Sequence, residues 1–197
     1  MIDKKVLRRD MRRLRRAISD EQARQAARHL ARELSRHPRF LAARSIAFYW
    51  ANDGEIDPAL VMRLALRMKK QVFLPVLDPL FGRSLRFACF RPGTAMRANR
   101  FGIPEPAVGR SALLKARQLD LILTPLVAFD PQGGRLGMGS GFYDRALQHL
   151  GWSRHWRRPH VIGLAYELQK IPQLPRESWD IALDGIQTEQ AWYPAMP

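Results

Sequence analysis

The chain has 197 residues, 46% of them apolar, and carries a formal net charge of +15 from 33 Lys and Arg against 18 Asp and Glu. That length and apolar content suit one domain over residues 1–197 and exclude a disordered or low-complexity protein. The longest apolar stretches, such as residues 45–51 and 121–129, fall well short of the roughly 20 residues of a membrane-spanning helix, and the basic N-terminus lacks the apolar segment of a secretory signal.

In chain order, Leu7, Met11, Leu14 and Ile18 recur at helical spacing, with Arg8, Arg12, Arg15 and Arg16 filling much of the remaining surface as a solvated face. Ser19-Asp-Glu-Gln22 has the form of a capping box and opens a second helix with the stripe Ala23, Ala27, Leu30 and Leu34, which His37-Pro38 ends. Ser45-Ile-Ala-Phe-Tyr-Trp50 reads as a buried strand. Asp57-Pro58 starts a helix through Leu60, Val61, Leu64 and Met68, with proline at its first position. Residues 72–76 form a second strand and 85–90 a third, paired antiparallel to a neighbour. The single cysteine, Cys89, lies in this third strand; it excludes an internal disulfide, suits a reducing cytoplasm and reads as a small buried hydrophobe. Proline and glycine mark residues 91–94 and 101–106 as loops. Residues 119–124 read as a strand, 142–150 as a helix and 161–165 as another strand. Strands separated by helices predict an α/β fold with a central, mostly parallel sheet covered by helices on both faces.

The densest signal lies in residues 125–145, which follow an apolar strand and lead into a helix, where open α/β sheets place ligands. Gly137, Gly139 and Gly141 remove Cβ from alternate residues, so the backbone can aim successive N–H groups at one anionic oxygen. The start of the next helix adds free N–H groups, and Arg135 and Arg145 add charge on either side. The spacing matches neither the dinucleotide fingerprint nor the Walker A loop. It leaves open a tight turn packing strand on helix and an anion site; three alternate glycines between two arginines favour the second. Asp144 reads equally as a carboxylate favoured by the helix dipole and as a ligand for Mg²⁺.

Arg135-Leu-Gly-Met-Gly-Ser-Gly-Phe-Tyr-Asp144 resembles the R-x-G-x-G-x-G-[YF]-Y-D signature of the 5-formyltetrahydrofolate cyclo-ligase family. Further matches run along nearly the whole chain: Lys4-Lys-Val-Leu-Arg8, Asn52-Asp-Gly-Glu-Ile-Asp57, Phe101-Gly-Ile-Pro-Glu-Pro106, Asp120-Leu-Ile-Leu-Thr-Pro125, Gly163-Leu-Ala-Tyr-Glu167 and Asp180. The resemblance implies a fold like that of the NagB, RpiA and CoA transferase proteins and an ATP- and Mg²⁺-dependent cyclisation of 5-formyltetrahydrofolate. It places Lys4, Arg8, Arg135, Leu136, Gly137, Met138, Gly139, Ser140, Gly141, Phe142 and Tyr143 at ATP, with Lys4 and Arg135 as catalytic cations. Trp50 and Glu55 fall at the folate, residues 138–142 are shared by both ligands, and Asp144 and Asp180 fall at the metal. Ser140 stands where other members carry lysine or glycine, so Arg145 or a nearby arginine is expected to compensate. A monomer acting on small molecules in the cytoplasm is expected.

The rival reading is a nucleic-acid-binding protein, supported by charge and by the aromatic-basic cluster of Trp152, Arg154, His155, Trp156, Arg157 and Arg158. ATP and a polyglutamylated folate tail are themselves anionic, so the charge alone does not favour nucleic acid. A different nucleotide-dependent enzyme or a sugar-phosphate binder using the same loop is the second rival. The five histidines show no zinc-ligand spacing.

Overall fold

A computed structural model of the chain describes residues 3–78, 84–148, 159–174 and 183–195. Helices α1 (Lys4–Arg16), α2 (Asp20–Arg36) and α3 (Pro38–Ala42) precede β1 (Ser45–Ala47), α4 (Ala59–Arg67) and the strands β2 (Gln71–Leu77) and β3 (Leu85–Phe90). The hairpin of β4 (Met96–Ala98) and β5 (Pro104–Pro106) follows, then β6 (Leu121–Pro125), the small pair β7 (Ala128–Phe129) and β8 (Arg135–Leu136), and α5 (Phe142–Leu147). Strands β9 (His160–Leu164), β10 (Gly185–Gln187) and β11 (Trp192–Pro194) complete the order.

Seven strands form one sheet in the order β11-β10-β9-β6-β1-β2-β3. The five inner strands are parallel, and β3 and β11 pair antiparallel at the two edges. Alternation along β6 divides the core: Leu121 and Leu123 face the α2 and α4 side with Leu30, Leu34 and Val61, while Ile122 faces the other side with Phe129 and Leu147. Both faces are covered, as a parallel sheet requires. Leu30 and Leu34 are fully buried, and truncating either to alanine costs about 2–5 kcal/mol. No described helix is long and apolar enough to cross a membrane.

Local chemistry sets the element ends. Ser19 accepts from the Gln22 N–H and the Gln22 side chain accepts from the Ser19 N–H, completing the expected box. Pro58 caps α4 from outside rather than occupying its first turn, and the buried face of that helix is Val61, Met62 and Ala65, with Met68 exposed. The stretch 101–106, read as loop, contributes β5: Arg97 opposes Glu105 across the hairpin, and buried Glu105 accepts from the Leu77 N–H. Cys89 is exposed, contrary to expectation. It sits on edge strand β3, where Phe87 and Ala88 are buried but Cys89 is not covered by the described residues.

Candidate active site

Chain order reverses between β1 and β6: β1 leads to β2 on one side, while β6, β9 and β10 build outward on the other. In open α/β sheets, ligands bind beyond the carboxyl ends of the strands at such a switch point. A cleft of about 1200 Å³ lies there, lined by residues following β1, by the glycine loop after β8 and by the start of α1.

The glycine loop has two residues in backbone conformations that side chains resist. Gly139 has φ 95° and Gly141 φ 64°. A Cβ at Gly141 would lie 2.7 Å from the Arg145 guanidinium, which folds back to donate to the Ser140 carbonyl. Gly141 precedes α5, and no side chain caps that start. Arg135, nearly buried, forms an ion pair with the half-exposed Asp144. Outside the loop, Arg100 lies 5.0 Å from the Phe101 ring centre and 5.8 Å from that of Phe142; the two rings meet edge to face at 5.7 Å.

Helix α1 closes the cleft from the side. Asp3 caps it by accepting from the Lys5 and Val6 N–H groups. Leu7 and Met11 pack on Ala128, Leu136 and Leu174, leaving Lys4 and Arg8 at the cleft. The Arg8 Nε donates to the Gly137 carbonyl at 2.9 Å, which ties the helix to the glycine loop. Further along, Arg12 donates to Asp53 Oδ2 at 2.7 Å, Arg16 pairs with the same carboxylate, and Arg15 reaches it at 2.9 Å. Arg15 is only 2% exposed. Its Nε donates to the Asp53 carbonyl at 3.0 Å and its Nη1 to the Leu126 carbonyl at 3.4 Å.

Asp53 has φ 53°, a left-handed conformation carried by the clamp around it. Burial pushes its carboxyl up, but the hydrogen bonds from Arg12 and Arg16 and the charges of Arg12 and Arg15 hold it below the usual value. Glu55 differs. Burial dominates and raises it from 4.5 to about 7; the Arg15 charge and a hydrogen bond from the Asn52 N–H oppose the rise, and the Asp53 charge adds to it. Arg15 Nη1 stands 3.9 Å from Glu55 Oε1. The Tyr143 hydroxyl, also in this part of the cleft, is buried and has no hydrogen-bond partner among the described residues. Burial, then the Glu55 charge, push that phenol well up.

Residues 1–189 match the 5-formyltetrahydrofolate cyclo-ligase family. The chain belongs to this family. It is 37% identical over 178 residues to the 5-formyltetrahydrofolate cyclo-ligase of Escherichia coli strain K12, covering 90% of this chain and 96% of that one. With the cyclo-ligase of Haemophilus influenzae it shares 44% identity over 144 residues, 73% of this chain and 75% of the relative. The solution structure of Aquifex aeolicus 5,10-methenyltetrahydrofolate synthetase superposes with a TM-score of 0.81 at 30% identity, covering 97% of this chain and 92% of that one. The fold is therefore that of a cyclo-ligase, and the chain is an enzyme of that family.

Against this background, the cleft of the cyclo-ligase fold gathers Lys4, Arg8, Trp50, Glu55 and residues 135–144 into one place. Trp50 is 38% exposed and meets Phe90 edge to face at 6.4 Å, forming part of a wall. Asp180 and the aromatic-basic cluster of residues 152–158 lie outside the described residues. Arg145 lies against the loop and donates to the Ser140 carbonyl. The reading of this face as solvated fails at Arg15, which is buried; Arg16 is exposed and Arg12 partly so, and all three pair with Asp53. Lys4, Arg8, Arg12 and Arg15 fall within about 80° of one another at 100° per residue. That shared face was readable from spacing; its partner, 38 residues beyond Arg15, was not.

Proposed function

We propose that this cyclo-ligase uses ATP and Mg²⁺ to close 5-formyltetrahydrofolate to 5,10-methenyltetrahydrofolate, releasing ADP and phosphate. The observation that carries the reading is the convergence, in one cleft, of a glycine loop between two arginines, two basic groups from α1 and a buried carboxylate on the facing loop. The loop with its arginines and the α1 groups suit a polyphosphate, and the carboxylate suits a ring edge rich in N–H donors.

The chemistry explains why both are needed. A formamide carbon is a poor electrophile, and its oxygen leaves poorly. Transfer of the γ-phosphoryl from ATP to the formyl oxygen breaks the β–γ anhydride and turns that oxygen into a phosphate leaving group. N10 attacks the activated carbon, the C–O bond breaks, phosphate departs and N10 loses its proton. Phosphoryl transfer asks the protein mainly for positioning and charge stabilisation.

In that scheme Lys4, Arg8 and Arg135 oppose charge on the transferring phosphoryl, and the N–H groups of residues 136–143 hold the phosphate chain. Asp144 supplies a hard oxygen at the cleft, a donor suited to Mg²⁺, which takes one or two carboxylates and completes its shell with phosphate oxygens and water; Asp180 would be the second. The metal would neutralise phosphate charge. Glu55 accepts from the pterin N–H and amino groups, Trp50 covers an aromatic face, and residues 138–142 lie between the two ligands.

The test mixes purified protein with 5-formyltetrahydrofolate, ATP and Mg²⁺ and follows the ultraviolet absorbance of the methenyl product. Product that needs all three supports the reading. No ATP-dependent product overturns it.

A further inference from the structure

The strongest feature outside the ligand-facing groups is the buried guanidinium of Arg15. It does not line the cleft, yet it makes three hydrogen bonds and lies 3.9 Å from Glu55. One charged side chain thereby joins α1, the loop after β1 and the turn after β6. Burying a guanidinium is costly unless its N–H groups find acceptors, and here the acceptors, Asp53 and Leu126, follow the two strands that flank the switch point.

Spacing ties this joint to the glycine loop. Arg8 and Arg15 are seven residues apart, two helical turns and about 10 Å along the axis. Arg8 is fixed to the Gly137 carbonyl and Arg15 to Asp53, so one rigid helix sets the distance between the two loops. Gly54, at φ 71°, brings the loop against the helix: a Cβ there would lie 3.2 Å from the Arg15 carbonyl oxygen. Glu55 follows immediately, with its position set by this contact and by the Asn52 N–H, which donates to Oε2 at 3.2 Å.

Building on the reading of Glu55 as the folate acceptor, we propose that Arg15 is a positioning residue for the reaction: clamped on Asp53 and Leu126, it holds Glu55 in place and favours its ionised form for the folate without touching either substrate. The groups facing Glu55 are Arg15 from α1, Asp53 on its own loop, Tyr49 beyond β1 and Tyr143 of α5, the last also under the influence of Arg135. Among them Arg15 alone carries a nearby positive charge, and Asp53 opposes it. Removing one or the other therefore pushes Glu55 in opposite directions, which loss of fold integrity does not do.

The experiment measures kcat/KM for 5-formyltetrahydrofolate from pH 5.5 to 8.5, with the KM for ATP in parallel, for wild type, Arg15→Met, Arg15→Lys and Asp53→Asn. Arg15→Met is expected to move the acidic limb up by about one pH unit or more and to raise the folate KM at least about tenfold, with the ATP KM changed less than about threefold. Asp53→Asn is expected to move the limb down. Arg15→Lys keeps the charge but not the fork, so the limb stays near wild type while the folate KM rises. If Arg15→Met does not fold, the other two variants carry the test. Met or Asn variants whose limbs coincide with wild type or move the same way, or a Lys variant whose folate KM stays at the wild-type value, overturn the proposal. A wild-type protein with no ATP-dependent product overturns the functional reading instead.

Discussion

Two loops face each other across the cleft and are held by opposite means. Residues 137–141 rely on backbone freedom: Gly139 and Gly141 adopt positive φ, Met138 is 45% exposed, and two arginines hold the loop by its carbonyls. Residues 52–55 are bolted by side chains, with three arginines on one aspartate and a glycine pressed against helix backbone. On the proposed function, the difference follows from what each must hold. A phosphate chain is met by many N–H groups that adjust together. A carboxylate that is largely withdrawn from water must be held in one place by its neighbours.

That contrast is broken most severely at its cationic centre. On the proposed mechanism, Arg135→Ala removes a donor to developing phosphoryl charge, and it frees Asp144 from its ion pair; turnover is expected to fall about 100-fold or more, measured as kcat at saturating substrates. Asp144→Asn is expected to cut turnover and raise the Mg²⁺ concentration needed for half-maximal rate; unchanged kinetics in it remove Asp144 from the metal site.

Glu55→Gln sharpens the other side. The carboxyl is raised from 4.5 to about 7, so the folded state favours the protonated form. That advantage is complete below pH 4.5 and is lost as pH climbs through about 7. Above pH 7, holding Glu55 ionised costs about 3 kcal/mol. The glutamine variant is therefore expected to melt higher than wild type at pH 8 and to match it near pH 4.5, while its folate KM rises. Equal melting at both pH values counts against a buried Glu55.

Gly54→Ala tests the bolt itself. Its positive φ and the 3.2 Å approach to the Arg15 carbonyl predict a loss of about 1–2 kcal/mol in denaturant unfolding. The smallest effect is expected at Ser140→Lys. Arg145 already brings charge to that carbonyl, so the ATP KM should change less than about threefold, the scale of an exposed charge.

How much of this was legible depended on range along the chain. The glycine loop was readable because its pattern is local: alternate glycines, an apolar strand before and an amphipathic start after. The capping box of α2 and the antiparallel pairing of β3 were readable for the same reason. The switch point was not, since it depends on β1 pairing with a strand more than 70 residues away. The role of Arg15 was hidden likewise: helical periodicity marks a basic face, but not that an aspartate in left-handed conformation docks on it. The β4–β5 hairpin escaped notice because two prolines in three residues argue against a strand, yet they sit in a short, two-stranded pair at the sheet's margin.

The exposed thiol on β3 has a practical consequence. Cys89 is the single cysteine of the chain, and its neighbour Phe90 packs edge to face on Trp50 in the cleft wall. A maleimide fluorophore attached there would occupy one defined position, one residue from that wall, with no engineering of the sequence. The protein thus carries a native attachment point from which ligand entry can be followed as a change in emission, independently of turnover.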